Sequence, residues 1–435
     1  MSQQIFSLHS WPRAIVHVDG DAFFTSCEEA IHPELRGKPL ITGGERGIVA
    51  CASYPAKKLG IKRGVPLHEA RKICPRLIIL PSDYETYSLF SRRMFDIMRR
   101  FTPDVEEYSI DEAFADITGM RRALRSSYEE IVLKMKTEIE RELGITVSAG
   151  LSITKVLAKV ASKHQKPSGL TIIKGREIAE YLHDLPVEKV WGIGNATTHY
   201  LAKMGIRYAL EFAQLPEKKV KEKFTKPGVE IWQELRGISV YPVTAEEKSS
   251  YASISKTKTF APATSNAGYL FAHLMRNLES ACIKARRYSL APDRIVVFLK
   301  KNDFSTVGSE VKLSHPCNCP MEFSGIIREL FDGCYSPKDV YRATGVVLLE
   351  LEPDEQVQYS LFDNPLQAEK IKELYNVADE LGRKFGKHTL HLGCSHLIEE
   401  LGKGRRGSPT VREQTQLKGE TRRRHLGLPL LHVKI

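Results

Sequence analysis

Asp104-Val-Glu-Glu-Tyr-Ser-Ile-Asp-Glu-Ala-Phe-Ala-Asp-Ile-Thr118 alternates apolar and polar residues around a short polar break, the pattern of a strand that turns and returns. Its bend carries two adjacent carboxylates, Asp111 and Glu112. Neighbours on a flat strand point to opposite faces, so the pair serves one site only if the backbone bends there. Upstream, Ala14-Ile-Val-His-Val-Asp19 is an apolar run of strand length that stops at a third carboxylate and continues as Gly-Asp-Ala-Phe-Phe24. Where the two strands converge, Asp19, Asp111 and Glu112 crowd together and repel unless a cation neutralises them. Hard oxygen donors left partly open for phosphate suit Mg²⁺, and two such ions activate an attacking hydroxyl and stabilise a leaving pyrophosphate. Spacing alone leaves the plainer reading open, in which these acids cap turns or pair with surface cations.

The surrounding chain is organised to match. Residues 84–101 and 127–143 have helical apolar spacing, 145–151 reads as a third strand and 154–163 as a helix after it. Together they make an α/β or α+β catalytic core over about residues 1–176. Into it is set a compact insertion, 26–81, punctuated by Gly and Pro. Residues 177–240 are purely helical, with turns at Gly192-Ile-Gly194, Gly205 and Gly237. A polar run, 244–250, reads as a linker, and 251–353 returns to mixed strands and helices. Beyond Pro353 the pattern gives one helix over 365–385. A basic tail then runs through Gly402-Lys-Gly-Arg-Arg-Gly-Ser-Pro409 and Arg422-Arg-Arg424, with little to bury and expected to be disordered.

Composition narrows the classes. Of 435 residues 42% are hydrophobic and 27% charged, ordinary for folded globular chains and enough for about two to four domains. No stretch approaches the ~18 apolar residues of a membrane span, and the N-terminus has no basic, apolar and small-residue leader pattern. The formal charge of +11 favours a polyanionic partner, nucleic acid first. Eight scattered cysteines without repeated C-x-x-C spacing signal neither a disulfide framework nor a zinc site, which fits a reducing cytoplasm or nucleoid. His315-Pro-Cys-Asn-Cys319 offers two thiols and one histidine but no fourth ligand.

Val18-Asp-Gly-Asp-Ala-Phe-Phe24, Ala50-Cys-Ala-Ser-Tyr-Pro-Ala-Lys57, Ser109-Ile-Asp-Glu-Ala-Phe114 and Lys166-Pro-Ser-Gly169 stand in an order and spacing that resemble the Y-family translesion DNA polymerases, most of all their bacterial DNA polymerase IV branch. The resemblance implies an α+β multidomain right-hand polymerase. Its α/β palm would be 1–25 and 82–176, its small fingers 26–81 and its helical helix-hairpin-helix thumb 177–242. A linker, 243–250, and an α+β little finger, 251–353, would follow, then a clamp-binding peptide and basic tail over 354–435.

Carried over by position, the resemblance makes Asp19, Asp111 and Glu112 the catalytic ligands of two Mg²⁺ ions, with Gly20 lending a backbone carbonyl. Phe24 becomes the aromatic gate against a ribose 2′-hydroxyl. Phe23 joins the nucleotide-binding group while packing inward. Tyr54, Lys57 and Lys166 face the triphosphate, although Cys51 and Lys57 replace a commonly hydroxyl-bearing residue and a commonly found arginine. Lysine lacks the bidentate fork, so the phosphate clamp is expected to be looser. Gly192 and Gly194 resemble the thumb turn that approaches a DNA phosphate. Lys256 and Lys258, with Arg286, Arg287, Lys300 and Lys301, are expected to follow the template backbone. Gln358-Tyr-Ser-Leu-Phe362 resembles a bacterial sliding-clamp-binding peptide whose Gln358, Leu361 and Phe362 enter a pocket on the clamp.

The implied partners are primer-template DNA, dNTP and the clamp, with no membrane. The implied protein is a cytoplasmic, nucleoid-associated monomer acting as a low-fidelity polymerase. The alternatives are a catalytically weak clamp-bound scaffold and a two-metal nuclease. Primer extension with and without Mg²⁺ separates the three.

Overall fold

A computed structural model describes residues 11–246, 251–354 and 365–398 of the chain, which divides into two compact units, Met1–Glu246 and Glu247–Ile435. In the first unit the strands run β1 (Ile15–Gly20), β2 (Leu40–Thr42), β3 (Cys51–Ala52), β4 (Ile78–Leu80), β5 (Val105–Glu107), β6 (Glu112–Asp116), β7 (Val147–Ser152) and β8 (Leu170–Ile172). Five of them form one sheet in the order β5-β6-β1-β7-β8. All six residues of the central β1 are buried, because helices cover both faces.

Alternation along β1 assigns the two faces. Val16 and Val18 pack with Met94, Ile97, Val132 and Met135 of the Tyr84–Arg99 and Tyr128–Leu143 helices. Ile15 packs instead with Phe114 and Ala158, toward the Lys155–His164 helix. That helix lies almost on the sheet: a Cβ at Gly150 would sit 2.2 Å from Ala158 O, so only glycine permits the approach.

The expected turn-and-return is the β5–β6 hairpin, and the expected helices and third strand are present with ends shifted by one or two residues. Residues 40–80 carry their own small sheet, β3-β2-β4, over a core of Ile41, Val49, Ala56 and Ile61. Residues 178–235 are helical around Leu201, Phe212, Ile231 and Trp232. Buried Glu234 ties this helical part to the sheet layer by accepting from Val156 N, Val240 N and Tyr241 N.

The second unit continues with β9 (Ser253–Thr264), β10 (Leu290–Lys301), β11 (Thr306–Lys312) and β12 (Tyr341–Pro353) in an antiparallel sheet ordered β11-β10-β12-β9. The Ala267–Arg287 and Ser324–Cys334 helices bury its apolar face. The expected late helix, Pro365–Phe385, is present and joins this core through Ile371 and Tyr375. Asp379 binds Arg286 at 2.7 and 3.0 Å, and Arg286 Nη1 also donates to Asn318 O at 2.6 Å. This corrects the expectation that Arg286 follows template DNA: its side chain is 7% exposed and is used for packing. Residues 386–398 return onto the Ala267–Arg287 helix, where buried Glu279 accepts from Leu392 N at 2.6 Å and from Ser395 Oγ. The basic tail from Gly402 on, expected to be disordered, lies outside the described residues.

Candidate active site

The register of the central strands makes the site. β1 pairs antiparallel with β6 so that Asp19 stands opposite Glu112, and His17 opposite Phe114, on the face turned to the Lys155–His164 helix. Asp111 ends the β5–β6 turn, where its carboxylate accepts from Ser109 Oγ at 2.6 Å and its carbonyl accepts from Gly20 N at 2.8 Å. The hairpin therefore brings Asp19, Asp111 and Glu112 side by side, as the bend in the sequence required. They border one another without converging on one point. Lys166 Nζ pairs with Asp19, and Lys159 Nζ lies 2.5 Å from Glu112 Oε2.

The electrostatics follow from these neighbours. Burial pushes the Asp19 carboxyl up, Lys166 pulls it down, and Glu112 and Asp111 push it up further. A cation would relieve the repulsion among the three, and carboxylate oxygens that border one another are hard donors of the kind that fits Mg²⁺. Burial also pushes Glu112 up, but hydrogen bonds from His17 and Lys159 and the Lys159 charge outweigh it and hold the group at about 2. The ionised carboxylate only accepts, so His17 Nε2, 3.1 Å away, carries the proton. His17 Nδ1 then accepts from Ser162 Oγ at 2.7 Å. Burial keeps this imidazole neutral, down at about 4.

Phe24 is the second residue of the Phe23–Ile31 helix and stacks on Tyr87 at 4.5 Å with Tyr84 edge-on at 5.3 Å, leaving its ring half-buried at the surface of this layer. Phe23 packs inward and is 2% exposed, so its ring has no surface to offer a sugar and a nucleotide contact at this position falls to its backbone. The same ring explains Gly20, where a Cβ would meet Phe23 Cδ2 at 2.7 Å. Tyr54 begins a short helix capped by Ser53, and Lys57 lies over its ring at 4.4 Å.

Asp21 was not among the expected site residues. It has no exposed surface and accepts from Ser148 Oγ at 2.9 and 3.0 Å, from Ser168 N at 2.7 Å and from Tyr54 OH at 3.3 Å, with Lys166 Nζ 3.5 Å away. Its spacing of two from Asp19 was an available signal, since alternate residues of an extended chain share a face. His17 and Lys159 were also missed. A histidine inside an apolar strand and a lysine on a half-apolar helix read as packing until register brings them to Glu112.

Gly192 adopts φ +90°, and Gly194 caps the exposed N-terminus of the Asn195–Lys203 helix. Lys256 and Lys258 pair with Val346 and Thr344 on the edge strand β9, sharing the face of Ile254 rather than the opposite face of Ser255 and Thr257. Lys256 nonetheless lies in a cationic neighbourhood: after burial, its charge and that of Arg287 push Lys387 down. Lys301 is paired with Asp339 at 2.8 Å. Gln358, Leu361 and Phe362 lie outside the described residues.

Residues 18–163 match the impB/mucB/samB family, 176–206 the IMS family HHH motif and 251–361 the impB/mucB/samB family C-terminal domain. The chain is 34% identical over 379 residues to a DNA polymerase IV of Desulfatibacillum aliphaticivorans, covering 86% of this chain and 95% of the relative. It is 33% identical over 392 residues to that of Clostridium kluyveri, covering 88% and 98%. Among solved structures, the Y-family DNA polymerase chimera Dbh-Dpo4(243-245)-Dbh superposes with TM-score 0.65 at 27% identity, over 78% of this chain and 99% of the other. The insertion ternary complex of Dbh DNA polymerase does so with TM-score 0.53 at 26% identity, over 77% and 98%. A hairpin that aligns three carboxylates, followed by helical and α+β parts that match in the same order, means that this chain belongs to the Y-family DNA polymerases, alongside bacterial DNA polymerase IV, and is a DNA-directed DNA polymerase.

Proposed function

We propose that the chain performs low-fidelity translesion synthesis, adding dNTPs to a primer 3′-hydroxyl, with Asp19, Asp111 and Glu112 holding two Mg²⁺ ions. The observation that carries this reading is the β1–β6 register that sets Asp19 against Glu112 with Asp111 at the adjoining turn. When bound, the ions supply positive charge where the attacking and leaving oxygens develop theirs. The chain's own residues do the rest. Gly20 adds its carbonyl beside Asp19. Phe24 floors the sugar site and excludes a 2′-hydroxyl. Tyr54, Lys57 and Lys166 meet the triphosphate, where fixed donors act most strongly as charge builds. Gly192 and Gly194 with the following helix N-terminus hold a DNA phosphate, and Lys256 and Lys258 add charge on β9.

In this reading 1–25 and 82–176 form the palm, 26–81 the fingers, 177–242 the thumb and 251–353 the little finger, with 365–398 docked on the last. The protein acts as a cytoplasmic, nucleoid-associated monomer recruited by a sliding clamp through residues 358–362. No helix among the described residues is long and apolar enough to cross a membrane. A scaffold without catalysis is not favoured, because it has no use for three adjacent carboxylates or the ring at Phe24.

Primer extension tests the reading. Asp111→Ala should lose more than about 1,000-fold in rate while primer-template binding holds, since basic surfaces rather than the metal supply most affinity. Extension within about tenfold of wild type rejects the assignment. In the same assay Phe24→Ala should admit ribonucleotides. An unchanged preference for dNTP moves the gate elsewhere.

A further inference from the structure

The loop between β11 and the Ser324–Cys334 helix carries His315-Pro-Cys-Asn-Cys-Pro-Met-Glu322. Among the described residues, His315, Cys317 and Glu322 are the one group of metal-ligating side chains whose donor atoms all lie within 4.8 Å of one another. Zinc bonds of ~2.0 Å to nitrogen or oxygen and ~2.3 Å to sulfur put tetrahedral neighbours about 3.3–3.8 Å apart. His315 Nε2 stands 3.5 Å from Glu322 Oε2. In the sequence Glu322 stands apart from His315 and Cys317, beyond Pro316 and Pro320. A turn closed by Glu322 N donating to Cys319 O at 3.1 Å brings it back, and Cys317 N donating to Pro292 O at 3.1 Å anchors the loop to β10.

Two of the three donors are held from behind. Ser314 Oγ lies 3.2 Å from His315 Nδ1, which leaves Nε2 to face the cluster. Cys319 N–H donates to Cys317 Sγ at 3.3 Å and so fixes the position of that sulfur, while the Cys319 sulfur is directed to Asn318 Oδ1 at 3.6 Å. The His315 and Glu322 side chains are 13% and 19% exposed, sheltered but open to an entering ion.

We propose that His315 Nε2, Cys317 Sγ and a Glu322 carboxylate oxygen form a Zn²⁺ site, with water as the fourth ligand, that fastens this loop onto β10. The imidazole and carboxylate bind through existing lone pairs. The Cys317 thiol proton leaves to solvent as the Zn–S bond forms, so each ion bound through the thiol releases one proton. A thiolate and an imidazole select a soft or borderline ion, which separates this site from the all-carboxylate palm site.

Full-length protein stripped by chelation and held in excess Mg²⁺ is titrated with Co²⁺ as a coloured probe, then with Zn²⁺. A single equivalent of Co²⁺ should raise a thiolate-to-cobalt charge-transfer band and tetrahedral d–d bands, both removed by Zn²⁺. Cys317→Ser should abolish the charge-transfer band, and His315→Ala and Glu322→Gln should weaken Co²⁺ binding by more than about tenfold. Cys319→Ser and Cys394→Ser should keep it. Absence of the band in the wild type, its survival in Cys317→Ser or its loss in Cys319→Ser overturns the assignment, the first result leaving only a His–Glu ion pair beside a thiol. Should Cys317→Ser misfold by circular dichroism, melting temperature decides: Zn²⁺ should raise that of the wild type but not that of Glu322→Gln, and no rise in the wild type refutes the site.

Discussion

A carboxylate with no exposed surface must have its lone pairs met, and Asp21 meets them with groups that converge from β7, the Ser168 loop and the Tyr54 helix. Two of its neighbours, Tyr54 and Lys166, are those proposed for the triphosphate, so the carboxylate sets their spacing. Asp21→Asn keeps the size but turns one acceptor into a donor facing donors, a change worth about 1–3 kcal/mol. Steady-state single-nucleotide insertion should show KM for dNTP raised about tenfold or more with kcat little changed, the mark of misplaced ground-state contacts. An unaltered KM would disconnect Asp21 from the clamp. His17 makes a pH prediction. Its folded value of about 4 lies below the ordinary 6.5, so the unfolded chain takes up the proton first as pH falls. Its contribution is complete above pH 6.5 and declines toward pH 4, by about 3 kcal/mol in all. His17→Gln should therefore flatten melting temperature against pH across that window. An unchanged slope assigns the acid sensitivity elsewhere. Glu112, held at about 2, contributes in the same direction over a lower window, from its ordinary 4.5 downward.

Local patterns carry far in some elements and stop short in others. The β5–β6 hairpin was legible because alternation and a polar break are local, and from it followed that Asp111 and Glu112 border Asp19. The Lys155–His164 helix was legible too, but not that Lys159 ends on Glu112, since that depends on how the helix crosses the sheet at Gly150. The least legible element was 365–398. Its helix was expected, yet Asp379 finds Arg286 and Leu392 finds Glu279 only through tertiary contacts, and an arginine read as DNA-facing proved to be a buried counter-charge. A prediction follows at this scale. Cutting the chain after Asp354 removes Ile371, Tyr375 and Leu392 from the second core and strands Arg286. All three are partly buried, so each is worth less than the ~1.5–3 kcal/mol of a fully buried side chain, and calorimetry should show the second unit melting roughly 5 °C or more lower. If the cut chain melts like the full one, the docking of 365–398 contributes nothing. Asp379→Asn should lower the same transition by a smaller amount.

The proposed recruitment belongs to the scale of the whole molecule, since a +11 surplus gives only diffuse attraction to DNA and a peptide contact would add a specific one. Residues 358–362 are bracketed by anchored chain. Asp354 N donates to Ser289 O at 2.9 Å, Lys372 Nζ donates to Asp354 O at 3.1 Å, and the helix from Pro365 packs into the same unit. If Gln358-Tyr-Ser-Leu-Phe362 is a clamp ligand, its affinity should concentrate in Leu361 and Phe362, at about 1.5–3 kcal/mol for each apolar side chain that enters a pocket. Replacing both with Ala should weaken clamp binding by two orders of magnitude or more, on the order of the sum of those terms, and abolish clamp-stimulated synthesis. Distributive synthesis on a short primer-template without clamp should persist, because the first unit keeps its carboxylates. Melting temperature should stay within about 2 °C of wild type, as for substitutions outside a core. The opposite pattern, a lowered melting temperature with clamp binding intact, would mean that the pair packs against its own unit and that recruitment is carried elsewhere on the chain.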